Sequence, residues 1–414
     1  MSKFIIANMW IERDISECIR LAAQKFAVVV LTGARQVGKT ELLKRLFPSH
    51  NYVSLDLPSV AASAAQDPET FFVRYPRPVL IDEVQYAPEL LRHLKSAVDT
   101  ERQKPGQFIL TGSQKFALMQ GISESLTGRA AILELETLSA REITATNRNA
   151  PTAKRWAELI VRGGFPALSG DPEMPLDLFF SSYLATYLER DVRQLLNVSS
   201  LRHFERFLRA CAARNAQLLD KSALAADVGV SATTIAQWLG VLQASNQIVL
   251  LEPWFKNLTK RIVKSPKLYF SDTGLLCHLL GITKDAFTDS PFNGAVWECY
   301  VFSELRKLLA KQAQPLTLFF YRDKQQLEVD FLLMGGNVAR MLECKWTEFP
   351  DAHDAKNLGR LTDIFVQTPL PETRHVESFV VCRTPNAFPI GKAAKAVNLL
   401  ELDSVVDTHR PAER

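Results

Sequence analysis

The sequence predicts an α/β protein: a parallel sheet with helices on both faces, then a helical region, then a second, smaller α/β domain. Three observations predict it. Residues 1–135 alternate short aliphatic runs with amphipathic helical stretches, the pattern of strands joined by crossover helices. Residues 136–280 carry apolar side chains mostly at helical spacing. Residues 290–402 return to strands, led by one helix over Gly294–Ala310.

In the first region, the strands are Ala27–Thr32, Asn51–Leu55, Pro78–Ile81, Gln107–Thr111 and Ala130–Glu134, with a helix over Pro88–Asp99. In the second, Leu178–Leu196 reads as a helix, Ser222–Gln243 as two helices about Gly229, and Ile248–Trp254 with Lys267–Ser271 as a strand pair. In the third, strands Thr317–Tyr321, Leu327–Leu333 and Ala339–Cys344 precede a helix near Ala352–Phe365, and strands follow near Ser378–Cys382 and Val397–Leu400. Polar, proline-ended stretches at Asn147–Pro151 and Thr283–Pro291 suggest domains at 1–140, 141–283 (helical lid and helix–turn–helix) and 284–402. Residues 403–414 read as a frayed tail.

At 414 residues, the chain is too long for one ordinary core. It has no apolar run of membrane-spanning length, and its first residues do not read as a secretory signal. The six cysteines stand singly with no CxxC pair, which argues against a zinc site and suits a reducing cytoplasm. The net charge of +4 decides little about nucleic acid; where the charge lies matters more.

The segment Gly33-Ala34-Arg35-Gln36-Val37-Gly38-Lys39-Thr40 fits the pattern of a phosphate-binding loop, with Glu41 opening the helix behind it. The two glycines let the backbone curl so that successive N–H groups face phosphate oxygens. Lys39 supplies charge at the β- and γ-phosphates, Thr40 offers a hydroxyl to Mg²⁺, and the helix adds its dipole. An apolar strand enters the loop and a helical stretch leaves it, which is the context ATP binding requires. Further on, the strand Pro78–Ile81 delivers Asp82 and Glu83 to the sheet's carboxyl edge. Asp82 is expected to hold Mg²⁺, and Glu83 to orient and deprotonate the attacking water. The strand Phe108–Thr111 ends in Thr111-Gly-Ser113; either hydroxyl could help place that water, and Ser113 is favoured. Arg129 could bring a guanidinium to the γ-phosphate, the alternative being an ordinary surface arginine.

These motifs resemble the AAA-type branch of P-loop ATPases over roughly residues 13–200, with Asp56 similar to that family's acidic position after the second strand. The resemblance implies an ATPase. A second-sensor arginine is not evident, so the ring assembly common in AAA machines does not follow; an oligomer or a recruited protein partner stays open.

Ser222–Leu242 reads as helix–turn–helix, with Gly229 in the turn and Ser231 capping the second helix. That second helix has no Arg or Lys, which argues against base-specific readout. Lys256, Lys260, Arg261, Lys264 and Lys267 follow within 12 residues and could sit on DNA phosphates, or form a solvated basic wing.

Asp330 lies in one strand and Glu343-Cys-Lys345 at the end of the next, with Glu343 and Lys345 on one face. Together with Glu298 on the preceding helix, these groups could hold a second Mg²⁺ or Mn²⁺ and activate water; the alternative is a structural pair between Glu343 and Lys345. The element order resembles the PD-(D/E)XK nuclease core over residues 290–402, with Val329 where proline is usual. The whole chain resembles a bacterial and archaeal family of ATPases with a winged helix and a C-terminal module of this kind, domain of unknown function 4143. Tyr187-Leu-Glu-Arg-Asp191, Tyr269-Phe-Ser-Asp272-Thr-Gly274 and Trp297-Glu298 match its texture. The expected function is an ATPase whose nucleotide state controls the C-terminal module. A nucleotide-gated switch and an ATP-regulated nuclease are the alternatives.

Overall fold

The computed structural model describes residues 10–101, 104–113, 126–145, 152–188, 192, 201–254, 265–312, 316–335, 337–367, 375–392 and 394–407. The chain divides into two compact units: Met1–Leu138 with Phe165–Gly170 and Ala244–Gln247, and the remainder.

The first unit holds strands β1 (Val28–Thr32), β2 (Asn51–Ser54), β3 (Val79–Asp82), β4 (Phe108–Gly112) and β5 (Ala130–Glu134). They form a five-stranded sheet in the order β2-β3-β4-β1-β5, with every pairing parallel. Helices α1 (Ser16–Lys25), α2 (Lys39–Leu46), α3 (Pro58–Gln66), α4 (Pro68–Arg74) and α5 (Leu90–Thr100) cover it. Side-chain alternation along β1 explains the two layers. Val28 and Val30 pack with Phe71, Leu94 and Val98 from α4 and α5, whereas Val29 and Leu31 pack with Ile19, Leu42 and Leu43 from α1 and α2. A strand buried on both faces reads as a continuous aliphatic run, as Val-Val-Val-Leu does here. Each such side chain contributes about 1.5–3 kcal/mol by leaving water.

The second unit begins with helices α6 (Ala140–Thr144), α7 (Ala153–Arg162), α8 (Leu176–Tyr187) and α9 (Leu201–Ala212). Strand β6 (Gln217–Leu218), helices α10 (Lys221–Val228) and α11 (Ala232–Ala244), and strands β7 (Ile248–Leu251) and β8 (Lys267–Phe270) follow. Gly229 takes the left-handed conformation between α10 and α11, and the Ser231 hydroxyl accepts from the Thr234 N–H at 3.0 Å. The three strands pair antiparallel in the order β6-β8-β7, so β8 is flanked on both sides. Helix α12 (Thr273–Leu280) is capped by Asp272, whose other oxygen accepts from the Gly164 N–H at 2.8 Å. A Cβ on Gly163 would meet Asp272 Oδ1 at 2.3 Å, so this approach requires glycine.

Helix α13 (Asn293–Ala310) leads into strands β9 (Thr317–Arg322), β10 (Glu328–Gly335) and β11 (Val338–Cys344), helix α14 (Lys356–Gln367), and strands β12 (His375–Cys382), β13 (Phe388–Ile390) and β14 (Ala394–Asn398). The mixed sheet runs β13-β14-β12-β11-β10-β9. The short strand β13 was not expected from the sequence. The tail is also more ordered than expected, since α15 (Leu402–Val406) buries Leu402, Val405 and Val406, and Arg340 donates to the Val405 carbonyl. No described helix is long and apolar enough to cross a membrane.

Candidate functional site

In a parallel sheet all strands end on one edge, and register decides which residues meet there. Ser54 pairs with Asp82, Ile81 with Leu110, and Thr32 with Gly112, so the loops after β1, β3 and β4 emerge together. The phosphate loop follows β1. Gly33 has φ +146° and lies against Leu135, where a Cβ would meet the carbonyl oxygen at 2.2 Å. Gly38 is left-handed at the start of α2, as is Gln36 within the loop. Lys39 is buried, and its ammonium donates to the carbonyls of Gly33 and Ala34 at 2.9 and 2.8 Å, curling the loop around its own charge.

Asp82 is buried at the end of β3. Its Oδ1 accepts from Thr40 Oγ1 at 2.8 Å and from Thr111 Oγ1 at 2.5 Å, and its Oδ2 accepts from Tyr52 OH at 3.2 Å. Burial, then Asp82, pushes the Tyr52 phenol up to about 12, so it stays a donor at ordinary pH. Glu83 sits in left-handed backbone at φ 57°, a conformation costly for a non-glycine residue and typical of functional positions. Its N–H donates to Thr111 Oγ1 at 3.0 Å, and its carboxylate accepts from Ser113 Oγ at 3.2 Å and from Gln85. Thr111 thus holds the Asp82 carboxylate and the Glu83 backbone, while Ser113 holds the Glu83 carboxylate: both hydroxyls take part.

The expected ligands fit this donor set. Thr40 and Asp82 are in direct contact and would hold Mg²⁺, the hard cation that carboxylate and hydroxyl oxygens suit. The residue range 33–41 would hold the phosphates through backbone N–H groups and Lys39.

Arg129 does not belong to this set. It precedes β5, and its carbonyl accepts from the Val28 N–H, which puts it at the opposite edge of the sheet, roughly 13–16 Å from the strand ends. Its guanidinium is engaged by Asp99 through Nε and Nη2, at 2.8 and 3.0 Å. A residue just before a parallel strand lies at the wrong end for its own phosphate loop. A cavity of about 680 Å³ lined by Arg77, Pro78, Gly106 and Phe108 opens at that same far edge and is not the nucleotide site.

Sequence reasoning missed Arg13, Tyr52 and Gln85. Buried Arg13 donates to the carbonyls of Val37, Glu136 and Thr137 at 3.0, 2.7 and 3.4 Å, tying the phosphate loop to the end of β5. No local motif marks such long-range contacts.

In the second unit, the β9–β10 register shifts between Val329 and Leu332, a bulge that re-aims Asp330. Asp330 Oδ2 accepts from the Cys344 N–H at 2.8 Å, while Glu343 accepts from Lys345 at 3.0 Å and leaves its second oxygen buried without a partner. Glu298 accepts from Tyr269 OH at 2.6 Å and from Lys267 Nζ at 3.0 Å. Lys267 also lies 2.7 Å from Glu328 and 3.8 Å from Asp330, and Glu328 is paired again to Arg322 at 2.8 Å. Burial, then Asp330, pushes Glu343 up to about 8 and Glu298 up to about 7, with Lys267 opposing the rise at Glu298. Burial works against the charge on Lys267, but Glu298, Asp330 and Glu328 outweigh it and the net direction is upward.

Two expectations change here. Lys267 is not a phosphate-facing surface residue: its side chain is 2% exposed and it is committed to carboxylates. Lys256, Lys260, Arg261 and Lys264 lie outside the described residues. In the acidic set expected to bind a second metal, the Lys267 ammonium stands 3.0 Å from Glu298 and 3.8 Å from Asp330. Among the described residues, no three His, Cys, Asp or Glu side chains are arranged to hold a metal.

Residues 25–144 match the AAA domain family, residues 153–286 the domain of unknown function DUF8612, and residues 293–402 the domain of unknown function DUF4143. An uncharacterized protein of Mycobacterium tuberculosis is 33% identical over 349 residues, spanning 83% of this chain and 76% of the relative. The chain belongs to this family of AAA-type P-loop ATPases with a C-terminal DUF4143 domain. Its relative in Mycobacterium bovis gives the same figures. Among solved structures, a Walker-type ATPase of Pyrococcus abyssi is similar at 16% identity and TM-score 0.45, covering 66% of this chain and 96% of that one. The RuvB Holliday junction branch migration motor of Thermotoga maritima is similar at 16% identity and TM-score 0.29, covering 57% and 88%. In this AAA-type family member, the contacting set is Thr40, Asp82, Thr111, Glu83 and Ser113, with Lys39 held on the loop carbonyls of Gly33 and Ala34.

Proposed function

We propose that the chain binds ATP with Mg²⁺ at residues 33–41 and hydrolyses it, and that its nucleotide state acts on the C-terminal module. The observation that carries this is the junction of Thr40, Thr111 and Tyr52 on the Asp82 carboxylate, with Glu83 beside it on Ser113 and Gln85. A bound Mg²⁺ would supply charge neutralisation at the phosphates. Lys39 would exchange its loop carbonyls for phosphate oxygens, Thr40 and Asp82 would hold the cation, and Glu83 would accept the proton of the attacking water. Steady-state ATP turnover of wild type, Lys39→Ala and Glu83→Gln tests this. Both variants should lose most turnover; unchanged turnover in both sinks the hydrolysis claim.

DNA is the partner this reading favours. The order of β6, helices α10 and α11, and strands β7 and β8 supports reading this region as a winged helix, and the basic run at Lys256, Lys260, Arg261 and Lys264 supports contact with phosphates rather than bases. Stimulation of turnover by single- or double-stranded DNA, falling steeply with salt, is the expected result. Equal turnover with and without either DNA removes this part.

A second reading is a nucleotide-gated switch that recruits a protein and turns over slowly. The hold of Gln85 and Ser113 on Glu83 favours it, since a base so engaged is not free for water. A Gln85→Ala variant faster than wild type supports the switch; a slower one supports hydrolysis as the working activity.

A further inference from the structure

We infer that Lys267 is the resident cation of the C-terminal carboxylate centre, occupying by its ammonium the place a divalent metal would take. The centre gathers Glu298 from α13, Glu328 and Asp330 from β10, and Glu343 from β11. Lys267 reaches three of these from β8, a strand outside the mixed sheet: 3.0 Å to Glu298, 2.7 Å to Glu328 and 3.8 Å to Asp330. Position and burial make this contact permanent. Strand β8 is paired on both sides, by β6 and β7, and the lysine side chain is 2% exposed with Phe320 beside it. Tyr269, two residues on and facing the same way, donates its hydroxyl at 2.6 Å to the same Glu298 oxygen that Lys267 meets.

The chemistry separates an ammonium from a metal. Mg²⁺ and Mn²⁺ need carboxylate oxygens close in, at about 2.0–2.1 Å for Mg²⁺, with several waters retained. The Lys267 ammonium meets Glu298 and Glu328 at hydrogen-bond distance and lies 3.8 Å from Asp330, so it neutralises these oxygens without the close approach a metal needs. Charge balance agrees: Lys267, Lys345 and Arg322 face four carboxylates, and Glu343 keeps one buried oxygen without a donor. One shared proton completes the balance. The centre then has no site for a hydrolytic metal, and the nuclease-like fold serves as a scaffold that binds without cutting. This inference stands on the second unit alone and does not depend on ATP hydrolysis.

The test is Mn²⁺ binding to the full chain without nucleotide, followed by the loss of the free-ion electron paramagnetic resonance signal. Wild type should hold no Mn²⁺ that Asp330→Asn removes. Lys267→Met should gain one Mn²⁺ per chain, and Lys267→Met with Asp330→Asn should lose it again. A wild-type Mn²⁺ site abolished by Asp330→Asn overturns the inference, as does a folded Lys267→Met protein that gains none. If Lys267→Met does not fold, Lys267→Gln takes its place in the same comparison, and a folded Lys267→Gln protein that gains no Mn²⁺ overturns the inference.

Discussion

Asp82 and Asp330 are both placed by strands beside a second carboxylate, yet their neighbours differ in kind. Asp82 is met by three hydroxyls, from Thr40, Thr111 and Tyr52. Asp330 shares a buried lysine with Glu298 and Glu328. Hydroxyls orient a carboxylate and leave its charge uncancelled, so a cation can still be attracted. An ammonium cancels the charge and fills the space. Two acidic constellations that look alike as strings of residues are thus opposite in readiness for a metal.

The contrast can be broken first at Glu83. Glu83→Gln should lower ATP turnover by about 10²–10⁴-fold, the usual worth of a positioned base, while Asp330→Asn leaves turnover unchanged. Comparable losses in both would mean the second centre takes part in hydrolysis and is not a closed structural cluster. Next in size is Lys267→Met. Removing one partner of a buried ion cluster leaves its carboxylates uncompensated, at a cost of about 3–5 kcal/mol in unfolding free energy. Chemical denaturation measures this; a loss below about 1 kcal/mol would place Lys267 among weak surface pairs.

A third effect depends on pH. Glu343 in the folded chain is pushed up to about 8, against an ordinary 4.5. The folded state therefore holds a proton that the unfolded state has released, and this contribution to stability is full below about pH 4.5 and lost as pH rises through about 8. Glu343→Gln should flatten that decline, by about 1–3 kcal/mol between pH 5 and pH 9 if one to two units of the shift are realised. Urea midpoints across that range give the answer, and an unchanged slope would show that Glu343 does not carry the proton.

What could be read from the sequence follows from how local each feature is. Residues 33–41 are contiguous, and Asp82 and Glu83 end an apolar strand, so motif and periodicity found them. Arg129 was misplaced although strand direction alone argues against it: in a parallel sheet the residue before a strand lies far from the loop that follows its neighbour. Lys267 was grouped with the basic residues before it in sequence. Its burial is set by β6 and β7 on either side and by partners 31 and 63 positions away, Glu298 and Asp330. The one local hint was a lysine opening the apolar strand Lys-Leu-Tyr-Phe. The β9–β10 bulge that aims Asp330 carries no sequence mark at all.

The smallest effect tests the comparison most finely. Tyr52 and Tyr269 each donate to a carboxylate, Asp82 at 3.2 Å and Glu298 at 2.6 Å, but Tyr52 is 39% exposed and Tyr269 is fully buried. Tyr52→Phe removes one of three donors from the Asp82 carboxylate, the one that comes from a partly exposed side chain, and the ring that Lys44 covers at 3.8 Å remains. A part-buried hydrogen bond of this kind is worth about 0.5–1 kcal/mol, so affinity for ATP with Mg²⁺ should fall by about two- to fivefold, with stability little changed. Because Tyr52 ionises only near 12, the change should be the same at every pH from 6 to 10. Tyr269→Phe should do the reverse: it leaves nucleotide binding alone and lowers stability, because Glu298 then loses a donor where no water replaces it. If Tyr52→Phe instead costs stability and spares binding, the hydroxyls around Asp82 are a structural lock like Lys267, and the distinction between an open and a closed centre fails at its open end.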